Sequence, residues 1–151
     1  MADVFISYSS TDEQLARFVH NHLQTEKITS FMAAASIIPG DRWTKEVFNN
    51  LRLSKWVVFL ASRTACNSAY VQQELGAAMI ENKNLIPIVW DMAPNEVPGW
   101  VSRHQVLNLS GRSFNDLQAE VTQIAQRVRQ DRTNGLVAVG ALVLGLMALS
   151  K

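Results

Sequence analysis

The chain has 151 residues, 48% of them apolar, and carries 14 Lys and Arg against 13 Asp and Glu for a formal net charge of +1. That length and apolar content suffice for one sizeable core and little more. The balanced charge without a basic run excludes a nucleic-acid surface, which needs clustered Lys and Arg.

The single cysteine, Cys66, cannot close an internal disulfide, and the opening residues lack a charged stretch followed by an apolar one, so a reducing, cytoplasmic home is expected. Apolar strand-like runs alternate with helical periodicity, which predicts a parallel sheet covered by helices on both faces. The first strand is Val4 to Tyr8. Ser10, followed by Glu13 three residues on, predicts a capping box that starts a helix. In that helix Leu15, Phe18, Val19, His22 and Leu23 form one apolar stripe. A second strand is expected over Ile28 to Met32. The turn Ile37-Ile38-Pro39-Gly40-Asp41 then breaks the chain before a helix carrying Trp43, Val47 and Leu51.

The third strand, Trp56 to Leu60, is apolar on both faces and is therefore expected at the centre of the sheet. A helix over about Ser68 to Asn82 places Val71, Leu75, Ala78 and Met79 toward the core, with Tyr70 and Glu74 on a neighbouring stripe. Residues four apart share a helix face. An aromatic ring and a carboxylate thus project together, near the sheet end where α/β folds bind ligands, a pairing that suits holding a nucleotide and steadying positive charge. Leu85 to Trp90 reads as a fourth strand. Its Pro87 lacks a ladder donor and argues for an edge position or a bulge. Val106 to Leu109 is a short fifth strand, and a last amphipathic helix begins near Ser113 and buries Leu117, Val121, Ile124, Ala125 and Val128.

After Arg127, Arg129 and Arg132 the composition changes, because Leu136 to Leu149 holds only Leu, Val, Ala, Gly and Met. This reads as a separate element, dividing the chain into a main domain over 1–132 and an apolar tail over 133–151. As a helix the apolar run would span about 21 Å, short of the roughly 30 Å core of a bilayer. Two expectations stand for it: an anchor in the inner membrane, with the flanking Arg and Lys151 at the headgroups, or a helix packed in an assembly.

Five segments, DVFISYSS from Asp3, IIPGDRW from Ile37, WVVFLAS from Trp56, SAYVQQEL from Ser68 and LIPIVW from Leu85, together resemble the bacterial TIR (Toll/interleukin receptor) domain, over about Asp3 to Arg129. The resemblance implies a flavodoxin-like α/β fold with about five parallel strands. Enzymatic members cleave the nicotinamide–ribose bond of NAD+, so NAD+ enters as substrate and no cofactor is implied. Glu74 matches the catalytic glutamate, and Tyr70 stands where many members have tryptophan. Ser9 and Ser10 would lie beside the bound nucleotide, although they also suit a turn and a helix cap. Trp43 is either a base-stacking ring or a packing anchor. The loop from Ile37 to Asp41, with Pro39 and Gly40, corresponds to the BB loop used in self-association. Implied partners are other TIR domains, as a homo-oligomer or filament, and an effector protein or the membrane through the tail. A role in bacterial anti-phage immunity follows from the same likeness.

The residues support this chemistry independently of the family. Nicotinamide departs as a neutral molecule, so one carboxylate suffices, without the acid that an ordinary glycoside needs. His20, His22 and His104 form no metal-ligand pattern with Cys66, and no glycine-rich phosphate loop is present, so no metal is expected. Where many members carry acids after strand two, this chain reads Met32-Ala33-Ala34-Ala35-Ser36, which leaves the choice between hydrolysis and cyclisation open. The alternative function is a non-enzymatic adaptor working through TIR–TIR contacts.

Overall fold

A computed structural model describes residues 2–35, 45–67, 83–92, 94–96, 107–109 and 113–149, with the backbone alone at 34, 35, 45–48, 94 and 132–149. In chain order its elements are β1 Val4–Ser9, α1 Glu13–Thr25, β2 Ser30–Ala35, α2 Lys45–Leu53 and β3 Trp56–Leu60. A one-turn α3 Arg63–Cys66, β4 Asn84–Val89, β5 Leu107–Asn108 and α4 Phe114–Leu149 follow. The five strands pair in the order β2-β1-β3-β4-β5, every pair parallel. This is the flavodoxin-like arrangement, with β3 at the centre as its two apolar faces predict.

Alternation along the strands divides the core in two. Phe5, Val57, Phe59, Leu85 and Val89 project to one face and pack with Leu51 of α2. Val4, Ile6, Tyr8, Val58, Leu60 and Ile88 project to the other, against Ala16, Val19 and Leu23 of α1 and Leu117, Val121, Ile124, Ala125 and Val128 of α4. Each fully buried Val, Leu, Ile or Phe contributes about 1.5–3 kcal/mol, so the two faces hold the sheet between layers of helix. The predicted α4 residues are all buried. On α1, Leu15 and Phe18 are only partly covered, and His22 bonds Thr122 of α4 at 2.8 Å.

Several sequence expectations are corrected. The second strand begins at Ser30 rather than Ile28, because α1 ends in a Schellman-type turn. Lys27 takes φ 61°, its N–H donates to the Gln24 carbonyl, and the Ile28 N–H donates to the Leu23 carbonyl at 2.9 Å. Ile28 and Leu23 are both buried in the α1 core, so Ile28 is the apolar clasp of the turn. The capping box expected at Ser10 does not form. Ser10–Asp12 is a single 3-10 turn, neither Ser9 nor Asp12 makes a side-chain cap bond, and Glu13 pairs with Arg17 at 2.9 Å instead. A reciprocal box does open α4: the Asp116 N–H donates to Ser113 Oγ at 3.4 Å, and the Ser113 N–H donates to Asp116 Oδ2 at 3.1 Å.

Pro87 lies neither on an edge strand nor at a bulge, since β4 runs in unbroken register beside β3 and also pairs β5. The Ile88 carbonyl faces β3, accepting from Ala61, whereas the Val89 carbonyl faces β5, accepting from Leu109. By alternation the missing Pro87 donor faces the β5 side, before the short β5 ladder starts at Ile88. In the structure α4 runs on through the apolar tail as one 36-residue helix. Among the described residues no helix is long and apolar enough to cross a membrane.

Candidate functional site

In a sheet of order 2-1-3-4-5 the connections after β1 and β3 leave in opposite directions, opening a crevice at their C-terminal ends where ligands of this architecture bind. Ser9, the last residue of β1, is buried, and its hydroxyl lies 3.1 Å from that of Thr11. Ser10, the next residue, is exposed. Of the two serines singled out from the sequence, Ser9 therefore braces the turn and Ser10 presents its side chain to solvent. Ser7, on the same strand face as Ser9, is fully buried, and its hydroxyl has no hydrogen-bond partner among the described residues.

Beyond β3, Ser62 uses its hydroxyl twice. It donates to Asp12 Oδ2 at 2.6 Å and accepts from the Ala65 N–H at 3.2 Å as the N-cap of α3. The end of β1 is thereby fastened to the end of β3. Asp91, just past β4, accepts the Arg63 N–H at 3.2 Å, while Arg63 Nε donates to the Asp91 carbonyl and its guanidinium meets Glu96 at 2.9 Å. Three strand ends around the crevice are tied by one short loop. Neither Asp12, Ser62 nor Arg63 stands out in the sequence as a site residue. The available signal was Ser62 itself, a strong N-cap type directly after an apolar strand.

Burial pushes the Asp12 carboxyl above its ordinary range, the Ser62 hydrogen bond opposes that shift, and the charge of Asp91 adds to it. Cys66 is buried, and burial with the same Asp91 charge pushes its thiol up to about 11. It therefore stays protonated at neutral pH and is no nucleophile. Among the described residues no group of three His, Cys, Asp or Glu is placed to hold a metal ion. Glu74, Tyr70 and Trp43, the loop Ile37 to Asp41 and His104 lie outside the described residues. In sequence Glu74 and Tyr70 fall between β3 and β4.

The profile of the TIR domain family matches residues 4–132. A plant protein of Brachypodium distachyon named "Probable 2' cyclic ADP-D-ribose synthase BdTIR" is 28% identical over 97 residues, covering 63% of this chain and 43% of its own length. The chain thus spans less than half of that relative. Among solved structures, the TIR domain of the Toll-related receptor TRR-2 from Hydra magnipapillata superposes with a TM-score of 0.66 at 17% identity, covering 85% of this chain and 99% of that one. The TIR domains of the activated Roq1 resistosome give 0.62 at 16% identity, with 87% and 99% covered. At these identities the structural likeness establishes the fold. With the family profile spanning most of its length, the chain belongs to the TIR domain family.

Proposed function

We propose that the chain breaks the nicotinamide–ribose bond of NAD+, releasing nicotinamide with ADP-ribose or a cyclic isomer of it, and that it does so when TIR domains associate. The observation that carries this reading is its likeness, within the TIR family, to a plant protein named as a cyclic ADP-ribose synthase.

The chemistry asks little of the protein beyond placement. Cleavage converts a cationic pyridinium into neutral nicotinamide, so the leaving group takes no proton. Positive charge moves onto the ribose, where a preorganised anion acts most strongly in the transition state. Glu74 supplies that carboxylate in this proposal, with Tyr70 beside it. The exposed side chain of Ser10 meets the nucleotide at the β1 end of the crevice, Ser9 and Thr11 brace the turn that carries it, and Trp43 borders the site. Water at the ribose carbon gives ADP-ribose and a proton, whereas an internal hydroxyl or ring nitrogen gives the cyclic product. The apolar loop Ile37-Ile38-Pro39-Gly40-Asp41 serves self-association. The resistosome TIR domains among the structural relatives favour the idea that assembly gates the reaction. NAD+ consumption of this kind suits antiviral defence.

The test is incubation of the purified full chain with NAD+ over a range of protein concentrations, with products resolved by chromatography. Nicotinamide release rising more steeply than protein concentration is expected. No release at any concentration overturns the enzymatic reading and leaves a TIR adaptor.

A further inference from the structure

A second concavity of about 400 Å³ opens on the face covered by α1 and α4, at the C-terminal ends of β4 and β5. Its volume is at the small end of ligand pockets, enough for one or two rings. Ile88 of β4 forms part of its floor, and Trp90 and Phe114 are its aromatic walls. Phe114 keeps 69% of its surface exposed, a large apolar side chain left at a rim. Such walls favour a flat ring that can stack or meet them edge to face.

The polar lining states what else the ligand carries. Asp12, Gln14 and Ser113 face this cleft. Ser62 occupies Asp12 Oδ2, and Asp12 Oδ1 and the Gln14 amide carry no hydrogen bond among the described residues. An ionised carboxylate only accepts hydrogen bonds, so the matching ligand brings N–H donors. Asp91 acts electrostatically on Asp12 and Asp116 sits in the first turn of α4, so a ligand carboxylate or phosphate would meet like charge.

We propose that this cleft binds a planar, uncharged heteroaromatic molecule of one or two rings with an amide or amino group, its N–H donating to Asp12 and its ring held between Trp90 and Phe114. Nicotinamide, the leaving group of the reaction proposed above, belongs to this class. The inference rests on the cleft alone and stands without that reaction.

The experiment measures binding of nicotinamide, and of nicotinate as its anionic counterpart, to the full chain by ligand-observed NMR and calorimetry with no NAD+ present. Nicotinamide is expected to bind at least about tenfold more tightly than nicotinate, a difference of about 1.4 kcal/mol. Phe114→Ala is expected to weaken nicotinamide at least tenfold in a protein that remains folded, although it also removes an edge-to-face contact with Phe18 at 5.2 Å, and Glu74→Gln to leave binding intact. Absent nicotinamide binding, equal binding of the two ligands, or binding unaffected by Phe114→Ala overturns the proposal. Loss of binding in a folded Glu74→Gln protein also overturns it by assigning the nicotinamide to the β1/β3 crevice, with the proposed catalytic reading untouched.

Discussion

Asp12 shows how a side chain without a motif comes to organise the strand ends. Its carboxyl is held above the ordinary carboxylate range, chiefly by burial. A raised folded value means that the native state disfavours the ionised form relative to the unfolded chain. That disfavour acts at neutral pH and is relieved as pH falls through the raised value toward the unfolded one near about 3.9. Asp12→Asn keeps an acceptor for Ser62 and removes the charge. Its melting temperature is expected to exceed that of the parent at pH 7, with the gap closing as pH is lowered toward about 4. Thermal scans across that range check this, and a variant less stable at pH 7 would contradict it. Ser62 and Asp12 lie 50 residues apart in sequence, so no local pattern exposes their bond. In contrast, Leu117, Val121, Ile124, Ala125 and Val128 were legible, because helical spacing alone places them on one face.

An element with an unbroken apolar run, such as β3, reads directly from the sequence, because a strand buried on both faces needs no polar alternation. Boundaries were harder where one residue type did unexpected work. Ile28 looks like strand but closes the α1 turn. Lys27 gives no sign of its positive φ, since glycine is the usual residue there. A left-handed conformation costs a non-glycine residue roughly 1–2 kcal/mol, partly offset in glycine by greater unfolded-state freedom. Lys27→Gly is therefore expected to stabilise the chain by about 0.5–1 kcal/mol in a denaturant titration. A loss of stability would show that the Lys27 side chain holds the turn. Three Ser-x-x-acid patterns, Ser9 with Asp12, Ser10 with Glu13 and Ser113 with Asp116, differ in outcome. Ser113 and Asp116 close a box on each other, whereas Asp12 and Glu13 are drawn off by Ser62 and Arg17.

Across the whole chain, α4 is fastened to the domain by Leu117, Val121, Ile124, Ala125 and Val128 in the core, by Arg129 on Glu26 at 3.1 Å and by Asp131 on Lys55 at 2.8 Å, all of which a chain cut after Asn134 keeps. A chain ending at Asn134 is expected to melt within about 3 °C of the full length, since a loss of 1 kcal/mol moves a domain this size by about that much or more. A larger drop would show that the apolar tail packs on the domain. The strand order, and with it the crevice at β1 and β3, followed from the TIR resemblance more than from periodicity, which says nothing of which strands are neighbours. Self-association belongs at this level too. Ile38→Asp places a charge in an apolar loop and is expected to lower NAD+ turnover and abolish its steep concentration dependence, with the melting temperature unchanged. A fully active Ile38→Asp protein with the same concentration dependence would argue against assembly through that loop. In the proposed reaction one carboxylate, Glu74, stabilises charge developing on the ribose. The most direct test is NAD+ turnover by Glu74→Gln, confirmed as folded by circular dichroism and melting temperature. A fall of at least about a hundredfold is expected, the scale of losing one transition-state contact, and turnover equal to the parent's would contradict that role for Glu74.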